Sequence, residues 1–175
     1  GCASIADTNG NLLFYTDGGT VWNRDHQIMP NGGGLSGGPS ATQSGVIVKD
    51  PGNANRYYVF YINNAGSQSY YATIDMTLNG GLGEVIIKNT NLNDSSDSQE
   101  KITSVKGEEC NTFWVVSSAG NNFNPQVFLR GSDNQSLRLN AIFSASTAFV
   151  MRLAVVVPIT GCIPAGCLSN QASNN

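Results

Sequence analysis

The chain holds a single histidine, so any Ser-His-Asp or Cys-His relay would have to run through His26. His26 lies in the polar run Asn23-Arg24-Asp25-His26-Gln27 with no nucleophile motif beside it, and it reads as a turn or surface residue. Glycoside hydrolysis by paired carboxylates needs two acids about 5 to 9.5 Å apart. Asp17, Asp25, Asp75 and Glu84 are present, but nothing in their spacing brings two of them together. The run Asp7-Thr8-Asn9-Gly10-Asn11 alternates oxygen-bearing side chains of the kind a hard cation takes. An EF-hand loop wants Gly at its sixth position and Glu at its twelfth, whereas Gly10 falls fourth and Gly18 twelfth. A hairpin turn describes the run better. The expectation is a non-enzymatic chain with no catalytic residue, metal site or cofactor.

Aromatic residues offer the one binding hypothesis. In Arg56-Tyr57-Tyr58-Val59-Phe60-Tyr61-Ile62, strand alternation sends Tyr57, Val59 and Tyr61 to one face and Tyr58, Phe60 and Ile62 to the other. Both faces are apolar enough to be buried between packed layers. The alternative is an aromatic platform for sugar rings, with Trp22, Tyr57, Tyr61 and Tyr71 as candidate contacts. Four cysteines, Cys2, Cys110, Cys162 and Cys167, are the disulfide candidates; they allow three full pairings, and the sequence does not choose among them. Cys162 and Cys167 could close a small loop through Pro164 and Gly166. Zinc would need a second close Cys/His pair, which is missing.

Composition sets the elements that must carry these side chains. Charged residues are 12% of the 175, about half the usual share, and the difference is made up by 20 Gly, 21 Asn and 18 Ser. Such residues disfavour helix and favour tight turns. The net charge of -3 leaves no basic footprint for nucleic acid and no polybasic run for an anionic membrane. Apolar residues at 40% are enough for a core. The chain opens on Gly1 and not Met, which reads as a processed product or a piece of something longer.

Turn chemistry predicts where the strands lie. Asn9-Gly10 joins strands over 2–7 and 12–17, and Gly18-Gly19 turns the chain into 20–23. After a Gly/Ser/Pro-rich loop over 31–40, strands follow at 45–49, 56–62, 69–75 and 84–88, then at 101–106 and 112–117. Three aromatic strands, around Phe14, Val59 and Trp114, each follow a weaker strand and a polar turn, recurring about every 45 to 55 residues. Four strands per unit at that period predict an all-β fold of antiparallel β-propeller-like blades, forming a partial or small propeller. An antiparallel β-sandwich is the alternative.

Past residue 121 the rhythm stops. Acids end at Asp133, and 134–175 carry only Arg138 and Arg152 as charges. The apolar run 148–157 is shorter than the roughly 20 residues of a membrane span and is broken by Arg152, so it reads as buried strand. The expected organisation is a blade-like region over 1–120 and a divergent apolar segment over 121–175, packed on the same domain. Asn93 and Asn134 head N-x-S sequons.

Several runs taken in order carry a resemblance. They are Gly1 through Gly32, Thr42-Gln43-Ser44, Tyr57-Tyr58-Val59-Phe60, Asp75 through Gly83, Glu100 through Lys106, and Phe113-Trp114-Val115-Val116. Over residues 1–118 the chain resembles the N-terminal propeller-like region of large secreted Bacteroidota proteins that end in a gliding-motility or type IX secretion sorting domain. The resemblance implies a secreted, extracellular or cell-surface location and a role in adhesion, and carries no catalytic motif with it. The sorting domain itself is absent, and 121–175 lack the further blades of the family. Asp17-Gly18-Gly19-Thr20-Val21-Trp22 also nearly matches the Asp-box of carbohydrate-active propellers, with Tyr15 where Ser or Thr is usual; there the box is a structural hairpin.

The expected function is therefore a non-catalytic extracellular module for adhesion or for recognition of surface glycans or polysaccharide. A different class is a structural subunit that self-assembles into a homo-oligomer or fibre through open strand edges. A carbohydrate-active enzyme is the third and weakest alternative. Neither nucleic acid nor membrane insertion is expected.

Overall fold

Turn residues set the framework seen in the computed structural model, which describes residues 1–63, 68–92, 98–106, 113–119, 124–130 and 136–140. All of them lie in one of two units of the chain, Gly1–Phe143; the second unit is Ser144–Asn175. At the first turn Asp7 Oδ1 accepts the backbone N–H groups of Asn9 and Asn11 (2.9 and 2.8 Å), and Gly10 takes the left-handed φ of 85° that closes it. At the next, Asp17 Oδ1 accepts the N–H groups of Gly19 and Thr20 (2.9 and 2.8 Å). At the third, Asn23 Oδ1 accepts those of Asp25 and Gln27 (3.0 and 3.1 Å). Three side-chain-templated turns in a row fold residues 3–33 into an antiparallel meander of β1 (Ala3–Ala6), β2 (Leu12–Thr16), β3 (Thr20–Asn23) and β4 (Ile28–Gly33).

The pattern repeats twice. The second sheet runs β5 (Gly45–Lys49), β6 (Arg56–Ile62), β7 (Ser69–Asp75) and β8 (Glu84–Asn91), in that order and antiparallel throughout. The third runs β9 (Ser98–Lys106), β10 (Phe113–Ala119), β11 (Asn124–Arg130) and β12 (Ser136–Asn140), again in chain order. Among the described residues the protein is thus all-β, built from three four-stranded antiparallel sheets, none of them closed on itself. β11 and β12 carry the third sheet past residue 120, where the sequence predicts a boundary.

The sheets stack because the middle one is apolar on both faces. Tyr57, Val59, Tyr61, Ala72, Ile74 and Val85 meet Phe14, Val21, Met29 and Leu35 in one core between the first and second sheets. Tyr58, Phe60, Ile62 and Val48 meet Ile102 and Val115 in another, between the second and third. Alternation along residues 57–62 therefore feeds two cores from one strand, as its double-sided pattern predicts. Between the sheets, β1 touches β5, β4 touches β8, and β9 touches both β5 and β6.

The loop between β4 and β5 ties the three sheets together. Its Leu35 N–H donates to Gly19 O in the first sheet (3.0 Å). Gln43 Oε1 accepts the Ile102 N–H of the third sheet (2.9 Å), and Thr42 donates twice to Glu100 Oε2, from its N–H (2.8 Å) and its hydroxyl (2.9 Å). Those two bonds hold the Glu100 carboxyl below its ordinary 4.5. Asp75 is likewise held below 3.8, first by the Thr77 hydroxyl and N–H and then by Arg56, and Asp7 by Asn11. A depressed folded-state pKa gives stability that is present above the unfolded value and lost as pH falls through the folded one. Melting temperature should accordingly hold steady down to pH about 4.5 and fall below it as these three carboxylates protonate. A thermal melt series that stays flat to pH about 2 would remove them as contributors.

Candidate functional site

Of the four aromatic candidates, the structure puts two out of reach of a ligand. Tyr61 is 0% and Tyr57 6% exposed, each inside the core between the first two sheets, so neither presents a ring face to solvent. Core packing describes both. Burial pushes the Tyr61 phenol up to about 12, and its hydroxyl is committed: it donates to Asn89 Oδ1 and accepts the Asn89 N–H, both at 2.8 Å. Tyr71 is half-buried against the second core, its ring 6.2 Å from Tyr58 and 6.0 Å from Phe60.

Trp22 differs. It lies on β3 opposite Val21, and with Val21 buried in the core its own ring turns to the outer face of the first sheet. There the cross-strand register sets Ser4, Tyr15, Trp22 and Ile28 in one row over β1 to β4. The Tyr15 and Trp22 rings stack at 5.3 Å with 16° between their planes. His26, at φ 61° in the β3–β4 turn, shares a 3.2 Å hydrogen bond between its Nδ1 and the Tyr15 hydroxyl. Ile28 at the end of the row is 61% exposed. Among the described residues no strand covers this row.

Of the sequence candidates Trp22 lies on this face; Tyr15, Ile28 and His26 beside it were not among the candidate contacts. The signal was available: residues 15 and 22 are equidistant from the centre of the Asp17–Thr20 turn, so the hairpin places them directly opposite. The Asp-box-like run is a structural hairpin here too, since its Asp17 carboxylate is spent on turn N–H groups.

Other candidates are not gathered. Asp7, Asp17 and Asp75 each bind turn N–H groups, and among the described residues no group of three or more His, Cys, Asp or Glu converges. Cys2 is exposed with a free thiol; Cys110, Cys162, Cys167, Asn93 and Asn134 lie outside the described residues. Among the described residues no helix is long and apolar enough to cross a membrane. Among the described residues the fold and this face define an all-β protein of stacked antiparallel meanders with a partly exposed aromatic row on the outer face of the first sheet. No family model, curated protein or solved structure matches the chain.

Proposed function

We propose that this chain is a non-catalytic, exported β module for attachment at the cell surface, built of propeller-type blades, with the outer face of the first sheet as its contact face. The observation that carries it is the row Tyr15, Trp22 and Ile28, a partly exposed apolar and aromatic surface with no strand over it among the described residues, while both faces of the neighbouring sheet are covered. Ile28 is exposed and Tyr15 and Trp22 beside it are half-buried, and apolar surface left in contact with water marks sites of association. The blade reading is supported by the three chain-order meanders and by the contacts of β1 with β5, β5 with β9 and β4 with β8, as radially repeated sheets would have. Export and adhesion follow the resemblance of residues 1–118 to secreted surface proteins.

A second reading assigns the face to surface polysaccharide: the stacked Tyr15 and Trp22 rings offer apolar area for a sugar, and His26 offers a polar partner beside them. The test compares wild type and Trp22→Ala for retention on immobilised cell-surface polysaccharide and on immobilised copies of the protein. Retention on one of the two should fall at least about tenfold, a loss of about 1.4 kcal/mol, with the melting temperature held. Equal retention of the variant on both surfaces would overturn the reading.

A further inference from the structure

The open row in the first sheet has a counterpart in the second. Tyr61 on β6 stands directly opposite Tyr70 on β7, and their rings stack at 6.1 Å with 16° between planes. Tyr15 on β2 and Trp22 on β3 form the same pair, second strand to third, at the same 16°. The faces correspond as well. Tyr61 points from the second sheet toward the first; Tyr15 and Trp22 point from the first sheet away from the second, which is the same direction along the stack. In the second sheet the pair is roofed by the first sheet and Tyr61 is fully buried. In the first sheet the equivalent pair has no roof among the described residues.

The other end of the stack shows the complement. On β10, Phe113 and Val115 turn inward to the second core, so Trp114 and Val116 turn outward. The register sets Trp114 opposite Val105 and Val116 opposite Thr103 on the same outward face, and Val105 is 53% exposed. Among the described residues the third sheet thus ends the stack, with exposed Val105 and half-buried Trp114 and Val116 beside Thr103 on its outward face, on the side by which the first sheet covers the second.

We infer that a second copy of this chain seats the outer face of its third sheet, Val105 and Trp114, on the outer face of the first sheet, Tyr15, Trp22 and Ile28, continuing the sheet-on-sheet packing from one molecule into the next. This rests on the first sheet's outer face being the contact face and names its partner. The two surfaces lie on opposite sides of the second sheet, so within one three-sheet stack they cannot meet. Each is paired with the kind of face that already packs twice inside the molecule, apolar sheet against apolar sheet. Contact between two different surfaces is head-to-tail, and repeats into a ring or a filament.

Ile28→Lys and Val105→Lys test it, because both side chains are exposed enough for the fold to tolerate the change, which unchanged melting temperatures would verify. By light scattering the wild type should gain mean mass between about 1 and 100 µM. Each variant alone should stay at the mass of one chain, and an equal mixture should stop at two chains, since only one productive contact survives per pair. A wild type that stays single throughout overturns the inference, whether the face is covered by another segment of its own chain or by nothing. So does loss of association in Ile28→Lys alone with no rescue on mixing, the mark of a face meeting itself. Capture on polysaccharide that Ile28→Lys abolishes, with no self-association, overturns the second copy as partner while leaving the contact face intact.

Discussion

Replacing Tyr61 by Ala should lower stability by about 3–5 kcal/mol, the cost of deleting a large aromatic ring from a closed core. Tyr61 on β6 joins several parts of the structure. Its ring lies in the core between the first two sheets and stacks on Tyr70, while its hydroxyl both donates to and accepts from Asn89. Asn89 in turn accepts the Ser36 N–H (2.8 Å) and donates from Nδ2 to Gly34 O (3.0 Å), fastening β8 to the loop that leaves the first sheet. Tyr61→Phe keeps the ring and strips the hydroxyl, leaving the Asn89 N–H short of its acceptor; about 1–3 kcal/mol should go. Tyr15→Ala, taken from the open face, should cost less than either. Chemical denaturation of the three variants checks the ranking, and a Tyr15 loss as large as that of Tyr61 would contradict the burial described.

Gly18→Ala should cost about 2–5 kcal/mol, from left-handed strain together with overpacking. Gly18 sits at φ 86°, and an added Cβ would fall 2.6 Å from Ser44 O, a backbone atom that cannot swing aside. Here the turn of the first sheet lies directly on the chain entering the second, so the substitution pushes two sheets apart. Gly10 supplies the control. It has nearly the same φ, 85°, but open space where its Cβ would go, so Gly10→Ala should show the strain alone, about 1–2 kcal/mol. If the two variants melt together, the close approach of Gly18 to Ser44 contributes nothing.

Much of this architecture is legible in the sequence where turn residues and alternation agree. Asn9-Gly10 and Gly18-Gly19 mark two turns of the first sheet, and the double-sided run 57–62 announces a strand packed on both faces. β4 escapes because its second half, with Gly32 and Gly33, reads as part of the 31–40 loop; as the outermost strand of its sheet it bonds along one side only, which makes Pro30 tolerable. β11 and β12 escape because the aromatic rhythm ends before them, although Leu137 and Leu139 alternate as strand residues do. The site was half legible. An aromatic residue on a strand does not say which face is covered; that depends on the neighbouring sheet, which separates buried Tyr61 from half-buried Tyr15.

The chain has two tryptophans, Trp22 on the outer face of the first sheet and Trp114 on that of the third, so one label reports on both ends of the stack. Fluorine NMR of 5-fluorotryptophan-labelled protein, with Trp114→Phe to assign the signals, reads the H2O/D2O solvent shift of each ring. If the outer face of the first sheet is the contact face, the Trp22 solvent shift should collapse when the protein is bound to its surface or to another copy. A Trp22 signal that keeps its full solvent shift in the attached state would contradict the account.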